Sequence, residues 1–326
     1  MMEPPLVSVV LPNRNHARYI SRAIKALLGQ TWPHLEILVV DDASTDDSRE
    51  VVSQLFAGDA RVQLLALDKH HGVSGAVQVG LTKARGEYIY IAAADDFVAP
   101  TFFERCVAEM TRFPTAGFCF SDPTEFREKD GQVVHFPLYL RDAPTYFDPE
   151  GLIALLCQNF FHMSANTGIY RLSAFRGAGG YIPELAWLSD WFVTIVIALR
   201  SGACYLPEQL TYVTMRDDSY SATNLCDTDK QRELVNRVVT LLSSPAYVDV
   251  AEPIHRAAIL PEYHFRTLLW LLVTRQGRTF VSLRLVRRIA GSAIWSLLRP
   301  YAPIRMRRYI RKTAGVLAGS TKDEQS

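Results

Sequence analysis

The chain alternates short apolar runs with stretches whose apolar residues recur every three or four positions. Leu6–Leu11, Leu35–Val40, Val62–Leu67 and Tyr88–Ile91 are compact and rich in Val, Ile and Leu, as strands covered on both faces are. Between the first two, Tyr19, Ile20, Ala23, Ile24, Leu27 and Leu28 share one helical face, and Gly29 closes it. Val51, Val52, Leu55 and Phe56 form a second such face. Val73, Ala76, Val77, Gly80, Leu81 and Ala84 form a third, stopped at Gly86. Strands and helices alternating at this spacing predict an α/β fold with a doubly wound, mainly parallel sheet. Further along, the pattern predicts a helix over Thr101–Arg112, a strand over Ala116–Ser121 and a hairpin within 122–147 that turns at Gly131. It then predicts a helix over Leu152–Gln158, an extended Thr167–Tyr170, a turn at Gly177–Gly180 and a helix over Leu188–Arg200. Beyond about Pro253 the pattern is helical, broken at Gly277, Pro300 and Pro303. These shifts divide the chain into residues 1–250, with halves at 1–121 and 122–250, and a C-terminal helical extension over 251–326.

Three of the first four strands stop at polar residues. The first ends in Pro12-Asn13-Arg14-Asn15, the second in Asp41-Asp42 and the fourth in Asp95-Asp96. In an open α/β sheet the ligand lies beyond the carboxyl ends of the strands, so these sets are expected to meet in one cleft. Adjacent carboxylates repel unless a cation or donor groups stand between them. A hard divalent ion with oxygen ligands answers that need, and a diphosphate is what it would clamp. Strand alternation points Asp41 and Asp42 to opposite faces, and Asp41 is assigned a structural role.

Composition changes the picture mainly at the C-terminus. The 326 residues are 48% hydrophobic and 21% charged, which is ordinary for a globular chain, and the net charge is +1. Residues 253–326 carry 14 Lys/Arg against 3 Asp/Glu, or +11, leaving −10 for residues 1–252. Between 254 and 312, Arg alternates with Leu, Ile and Trp and the one acid is Glu262. Such stretches predict amphipathic helices at an anionic membrane surface. A helical cap on the catalytic part is the alternative, and no nucleic-acid-binding motif is present. No run reaches the length of a spanning helix, and the N-terminus lacks the basic and apolar regions of a signal peptide. The five cysteines show no metal-like spacing and are expected as reduced thiols, so the chain is expected in the cytoplasm, peripheral to the inner face of a membrane.

Known phosphate motifs are missing. The first turn has neither G-x-G-x-x-G nor G-x-x-x-x-G-K-[ST], which disfavours dinucleotide dehydrogenases and P-loop NTPases. Gly72-Val-Ser-Gly75 is one residue short of a nucleophile elbow. Four stretches in order do resemble a known family. They are Val7-Ser-Val-Val-Leu-Pro-Asn-Arg-Asn15, Ile37-Leu-Val-Val-Asp-Asp-Ala-Ser-Thr-Asp46, Gly72…Gly80-Leu…Ala84-Arg-Gly-Glu-Tyr-Ile89, and Asp95-Asp96. Together they resemble family 2 glycosyltransferases over about residues 6–225. These are inverting enzymes of the GT-A fold that use nucleotide sugars.

The resemblance implies roles residue by residue. Pro12, Asn13, Arg14 and Asn15 would line the base and ribose, and Asp42 would accept from the base. Asp95 would lie near ribose and diphosphate, and Asp96 would bind Mn²⁺ or Mg²⁺. Where many members carry a further acid, this chain has Ala93. Ser189-Asp190 follows Gly179-Gly180-Tyr181 and matches the pair that ends in the family's catalytic base, with Ser189 where a Glu is usual. Arg216 stands where relatives often carry a His near the diphosphate. Trp187 and Trp191 flank Asp190, as sugar-stacking rings or as core. The implied activity is transfer of a sugar from a nucleoside-diphosphate sugar, a UDP-sugar by default, to a glycan or lipid-linked acceptor in cell-envelope polysaccharide synthesis. Alternatives are a sugar-nucleotide nucleotidylyltransferase, which shares the strand–helix order, and a non-catalytic nucleotide-binding module.

Overall fold

The computed structural model describes residues 4–159, 161, 163, 165–215, 228–260 and 265–298. Contacts divide the chain into two compact units. The first comprises residues 1–148 and 163–223, the second 149–162 and 224–326.

The first unit is built on one mixed sheet. In chain order its elements are β1 (Val7–Asn13), α1 (Ala17–Leu28), β2 (Leu35–Asp41), α2 (Ser48–Phe56), β3 (Val62–Ala66), α3 (Gly72–Lys83), β4 (Tyr88–Ile91), β5 (Phe97–Val98) and α4 (Phe102–Arg112). They continue with β6 (Phe118–Arg127), β7 (Val133–His135), β8 (Thr145–Phe147), β9 (Gly168–Arg171), α6 (Leu172–Gly177), α7 (Ser189–Ser201) and β10 (Ala203–Met215); α5 (Pro149–Gln158) belongs to the second unit. The strand order is β3-β2-β1-β4-β9-β6-β10-β5, with β7 on β6 and β8 on β10. The first four strands are mutually parallel, as their Val-rich, doubly covered sequences require.

Local pattern predicted most of these elements but not the middle of the sheet. β9 returns after a long excursion and inserts antiparallel between β4 and β6. β10 runs thirteen residues, pairing parallel with β6 and antiparallel with β5 and β8. Neighbour choice of this kind is a tertiary matter that a period-2 pattern does not encode. The expected hairpin is the β6–β7 pair, with Thr124 opposite His135 and Gly131 at φ +67°.

Two contacts fix β1 against its neighbours. At the starting ends of the strands, Glu36 Oε1 accepts from Ser8 Oγ at 2.6 Å and from the Arg85 amide at 2.8 Å, while Ser8 Oγ accepts from the Gly86 amide at 2.8 Å. This buried network ties β1, β2 and the entry to β4 into one register. On the sheet's face, α3 approaches β1 at Gly80, where a Cβ would lie 2.4 Å from Val10 Cγ1.

The second unit is helical, with α5 joined by helices Thr228–Leu242, Val248–Ala257, Phe265–Val273, Arg275–Arg278 and Leu283–Leu298. Among the described residues, no helix is long and apolar enough to cross a membrane.

The close approach at Gly80 makes a prediction. Ala is favoured over Gly in a helix by about 1 kcal/mol. Gly80→Ala is nevertheless expected to lose roughly 1–3 kcal/mol through overpacking on Val10. In urea unfolding the loss should shrink when Val10→Ala is added; simple additivity of the two substitutions would contradict the packing account.

Candidate active site

The parallel pairing of β2, β1 and β4 decides where the site lies. Asn13 is in register with Asp41, and Ala92 follows directly on the β1–β4 ladder through its amide bond to Val10 O at 2.9 Å. The polar residues after β2, β1 and β4 therefore stand at neighbouring strand ends, spread over two strand spacings, or about 10 Å.

At the first two ends, the turns after β1 and β2 interlock. Asn13 Nδ2 donates to Asp41 Oδ2 at 2.9 Å, and Asn15 Oδ1 accepts from the Thr45 amide at 2.8 Å. Asn15 and Ala43 take left-handed backbone, φ +57° and +55°. Asp46 Oδ2 accepts from the Ala17 amide, the start of α1. Asp41 is buried and takes donors from Asn13, Ser44 and Arg49. Burial alone would raise its carboxyl, but those hydrogen bonds hold it below the usual value. Pro12 stands opposite Val40, one pair before the ladder ends, and Arg14 Nη1 lies 3.4 Å from Asp42 O.

Asp42 is also buried, yet it serves a different helix from the one its sequence neighbours suggest. Its Oδ1 accepts from the His71 amide at 2.7 Å, and Oδ2 accepts from the Gly72 amide at 2.9 Å and meets His70 Nδ1 at 2.6 Å. These amides belong to the first turn of α3, whose orphan N–H groups attract an anion. A carboxylate offers about four acceptor positions. Three protein groups leave room for one more N–H, such as that of a nucleobase. No spacing in the sequence signals this contact with His70 and His71.

At the end of β4 the two acids part. Asp96 is 7% exposed; its Oδ1 accepts from the Thr214 amide at 2.7 Å and its Oδ2 from Asn166 Nδ2 at 2.9 Å. Burial, with the charge of Asp95 second, raises its carboxyl to about 7. Asp95 is half-buried, and its backbone carbonyl accepts from Thr214 Oγ1 and from Arg22 Nη2. The Arg22 guanidinium lies over the Phe97 ring at 4.9 Å and the Phe126 ring at 5.2 Å. Arg22, Asn166 and Thr214 were not legible as site residues. The one signal was Arg22 itself, a cation between Ile20, Ala23 and Ile24 in the stripe of α1.

The mutual repulsion of Asp95 and Asp96 is what a hard cation would relieve, and the donors are the right kind. Among the described residues no group of three His, Cys, Asp or Glu is placed to hold an ion. One or two carboxylates completed by phosphate oxygens and water is the way Mg²⁺ is commonly held.

Asp190 lies in the first turn of α7, half-buried, with Oδ1 accepting from the Trp191 amide at 2.6 Å. Burial pushes its carboxyl up to about 6, and the Trp191 bond opposes the rise. Ser189, the substitute for the family's Glu, is buried; its Oγ accepts from the Ile182 amide and donates to Ile182 O, closing the neck of loop 182–189. In that loop Ala186 holds φ 47°, ψ −123°, a conformation costly for an L-residue. Trp191 is 6% exposed and packs as core. Trp187 is half-buried, and its indole N–H has no acceptor among the described residues.

A row of buried tyrosines connects the two acid sites. Tyr90 and Tyr181 are both raised, first by burial and then by Asp96 and Asp190 respectively, and each also lies near Tyr170. Asp96 and Asp190 thus both act on one group of buried tyrosines. Arg216 and His162 lie outside the described residues.

Comparison with known proteins identifies the family and the fold. The model of the family described as Glycosyl transferase family 2 matches residues 8–175, half of the chain. An uncharacterized glycosyltransferase of Haemophilus influenzae is 35% identical over 104 residues, covering 32% of this chain and 42% of that protein. Chondroitin synthase of Escherichia coli is 29% identical over 160 residues, 48% of this chain and 22% of that one. The chain therefore spans less than half the length of these relatives. Among solved structures, S. aureus TarS 1–349 in complex with UDP-GlcNAc superposes with a TM-score of 0.63 at 17% identity, covering 96% of this chain and 88% of the other. The mannosyltransferase PcManGT from Pyrobaculum calidifontis, in complex with GDP-Man and Mn²⁺, gives 0.58 at 18% identity, with 97% and 86% covered. At such identities the likeness is one of fold. On the family match, the chain belongs to glycosyl transferase family 2, and its first unit has the GT-A architecture.

The raised carboxyl of Asp190 has a stability consequence. Its folded value, about 6, exceeds the ordinary 3.8, so the native state holds the proton more tightly. The ionised side chain therefore opposes folding above pH 6, and the effect disappears below pH 4. Asp190→Asn is expected to raise the melting temperature at pH 8 and to leave it nearly unchanged at pH 4. Equal shifts at both pH values would argue against a buried, ionising Asp190.

Proposed function

We propose that the protein transfers one sugar from a nucleoside-diphosphate sugar to a hydroxyl of a glycan or lipid-linked acceptor, with inversion, in the synthesis of a cell-envelope polysaccharide. The observation that carries this reading is the arrangement of acids: Asp42 and Asp95 beyond the ends of β2 and β4, on either side of β1, with Asp96 and Asp190 both acting on one group of buried tyrosines.

The roles follow from the chemistry of each position. Pro12, Asn13, Arg14 and Asn15 form the wall for base and ribose, and Asp42 accepts a base N–H in its remaining position. A uridine diphosphate sugar is the donor we favour. Asp95 faces the diphosphate. The metal role stays with Asp96, each of whose oxygens takes one N–H donor and keeps an acceptor position, with the half-buried Asp95 carboxylate next to it. A divalent cation bound there, Mn²⁺ or Mg²⁺, supplies positive charge to the diphosphate oxygens. Arg216 is assigned to the same diphosphate.

Asp190 is the base. The acceptor oxygen forms its bond to the anomeric carbon while its proton passes to the Asp190 carboxylate. The bond from that carbon to the diphosphate oxygen breaks on the opposite face, and its electron pair leaves with the nucleotide. A carboxyl raised toward 6 by burial is a stronger base than an exposed one and still ionised at neutral pH. Trp187, three residues before Asp190 on the strained loop, is half-buried and offers part of its ring to the acceptor sugar. Residues 1–250 are the catalytic part in this reading, and the basic extension 251–326 places it at the inner face of an anionic membrane.

Calorimetry tests the class. A glycosyltransferase should bind UDP with Mn²⁺ more tightly than UTP, whereas a nucleotidylyltransferase reverses the order. Asp190→Asn should keep UDP affinity and lower transfer by roughly 10²–10⁴-fold; turnover that survives it excludes Asp190 as base. Transfer in the wild type should decline as the pH falls through about 6, as the carboxylate is protonated.

A further inference from the structure

The last two long helices of the second unit keep apolar side chains on the outside. Leu283, Val286, Ala290 and Ile294 follow one another at i, i+3, i+7 and i+11 along helix Leu283–Leu298, and all four are exposed, Leu283 to 66% and Ile294 to 57%. That spacing puts them on one face. Helix Phe265–Val273 repeats the pattern with Leu269, Leu272 and Val273, the last 76% exposed. These two helices hold six of the twelve large apolar side chains exposed among the described residues, so the exposure is concentrated and not the scattered kind every surface shows.

The charges in the same stretch divide into two groups. Arg284 and Arg288 work inside the unit: Arg284 donates to Arg256 O and Arg288 to Leu156 O. Arg275, Arg278 and Arg287 are exposed. Residues 265–298 contain six Arg and no Asp or Glu. The inner faces are occupied, with Leu271, Leu285 and Ile289 buried. The helices therefore have a core side already satisfied and a second, outer apolar side fringed only by positive charge. A water-facing helix in a soluble bundle needs one apolar stripe. A second stripe rimmed by Arg suits the boundary between lipid headgroups and acyl chains.

We propose that the outer faces of helices Phe265–Val273 and Leu283–Leu298 dock on a bilayer rich in anionic lipid. Leu283, Val286 and Ile294 enter the headgroup boundary, and Arg275, Arg278 and Arg287 contact the lipid phosphates. This deepens the peripheral location proposed above by naming the surface, and it selects anionic lipid over a protein partner because no acid offsets the arginines. The arginines supply the salt-sensitive part of the binding, and burial of the apolar side chains adds the salt-insensitive part.

Co-sedimentation of the full chain with phosphatidylcholine vesicles, with and without phosphatidylglycerol, tests it. Wild type should bind the phosphatidylglycerol vesicles and be weakened, but not fully released, by salt. Leu283→Ser/Val286→Ser/Ile294→Ser changes exposed positions only and should lower the partition coefficient on the order of tenfold or more. Arg275→Glu/Arg278→Glu should do the same and remove most of the salt dependence. UDP affinity, measured in parallel, should be unchanged in every variant; its loss in wild type as well would count against the transferase reading and not against the membrane face. Binding that ignores phosphatidylglycerol, or survives the triple variant, overturns the proposal. So does a dimer in solution that the triple variant dissociates, since a second copy would then be the occupant of this face.

Discussion

The constraint on which the molecule depends is the parallel register of β2, β1 and β4. Parallel pairing sends every carboxyl end to the same edge, and a register shift of one residue would turn Asp42 or Asp95 to the other face. The buried network of Ser8, Glu36, Arg85 and Gly86 fixes that register at one end of the strands, while α3 lies so close to β1 that Gly80 leaves no space for sliding. A site assembled from residues scattered along the sequence is in this way held by contacts at the far end of the same strands.

Four acids near that edge meet burial in different ways. Asp41 has a guanidinium partner and enough donors to stay charged easily. Asp42 spends its charge on the start of a helix. Burial outweighs the pull of Arg22 on Asp96 and of the Trp191 amide on Asp190, and both are raised, to about 7 and about 6. Raised acids in one region are a mark of chemistry more than of stability, because each costs folding energy while ionised. Within the pair after β4, the structure separates the tasks. Asp96 holds β10 and the Asn166 turn in place, and Asp95 is left at the surface beside it.

Much of the first hundred residues was legible because each strand and helix there announces itself by local period, and because three strand ends carry polar residues that have no reason to be adjacent except a shared edge. The fold class and the shared sheet edge of Asp42 and Asp95 followed from that, whereas Asp190 was marked only by the family resemblance. What was not legible depends on partners distant in sequence. The antiparallel β9 and the length of β10 are set by neighbours more than fifty residues away. Asp42 reads locally as the cap of α2 and turns out to serve α3. Arg22 and Thr214, 192 residues apart, share one hydrogen bond. The two tryptophans beside Asp190 are alike in sequence, and only burial tells the packed Trp191 from the half-open Trp187.

The anchoring of Asp42 on α3 has one more consequence. The carboxylate meant for the base is already immobilised by two amides and an imidazole before any ligand arrives. Recognition therefore begins from a rigid acceptor, and little rotational freedom is surrendered when the nucleotide docks. The His70 ring is held by the same arrangement, since its Nδ1 meets Asp42 Oδ2 at 2.6 Å. On the role proposed for Asp42, a base that presents an N–H to this carboxylate is favoured over one that presents only acceptors.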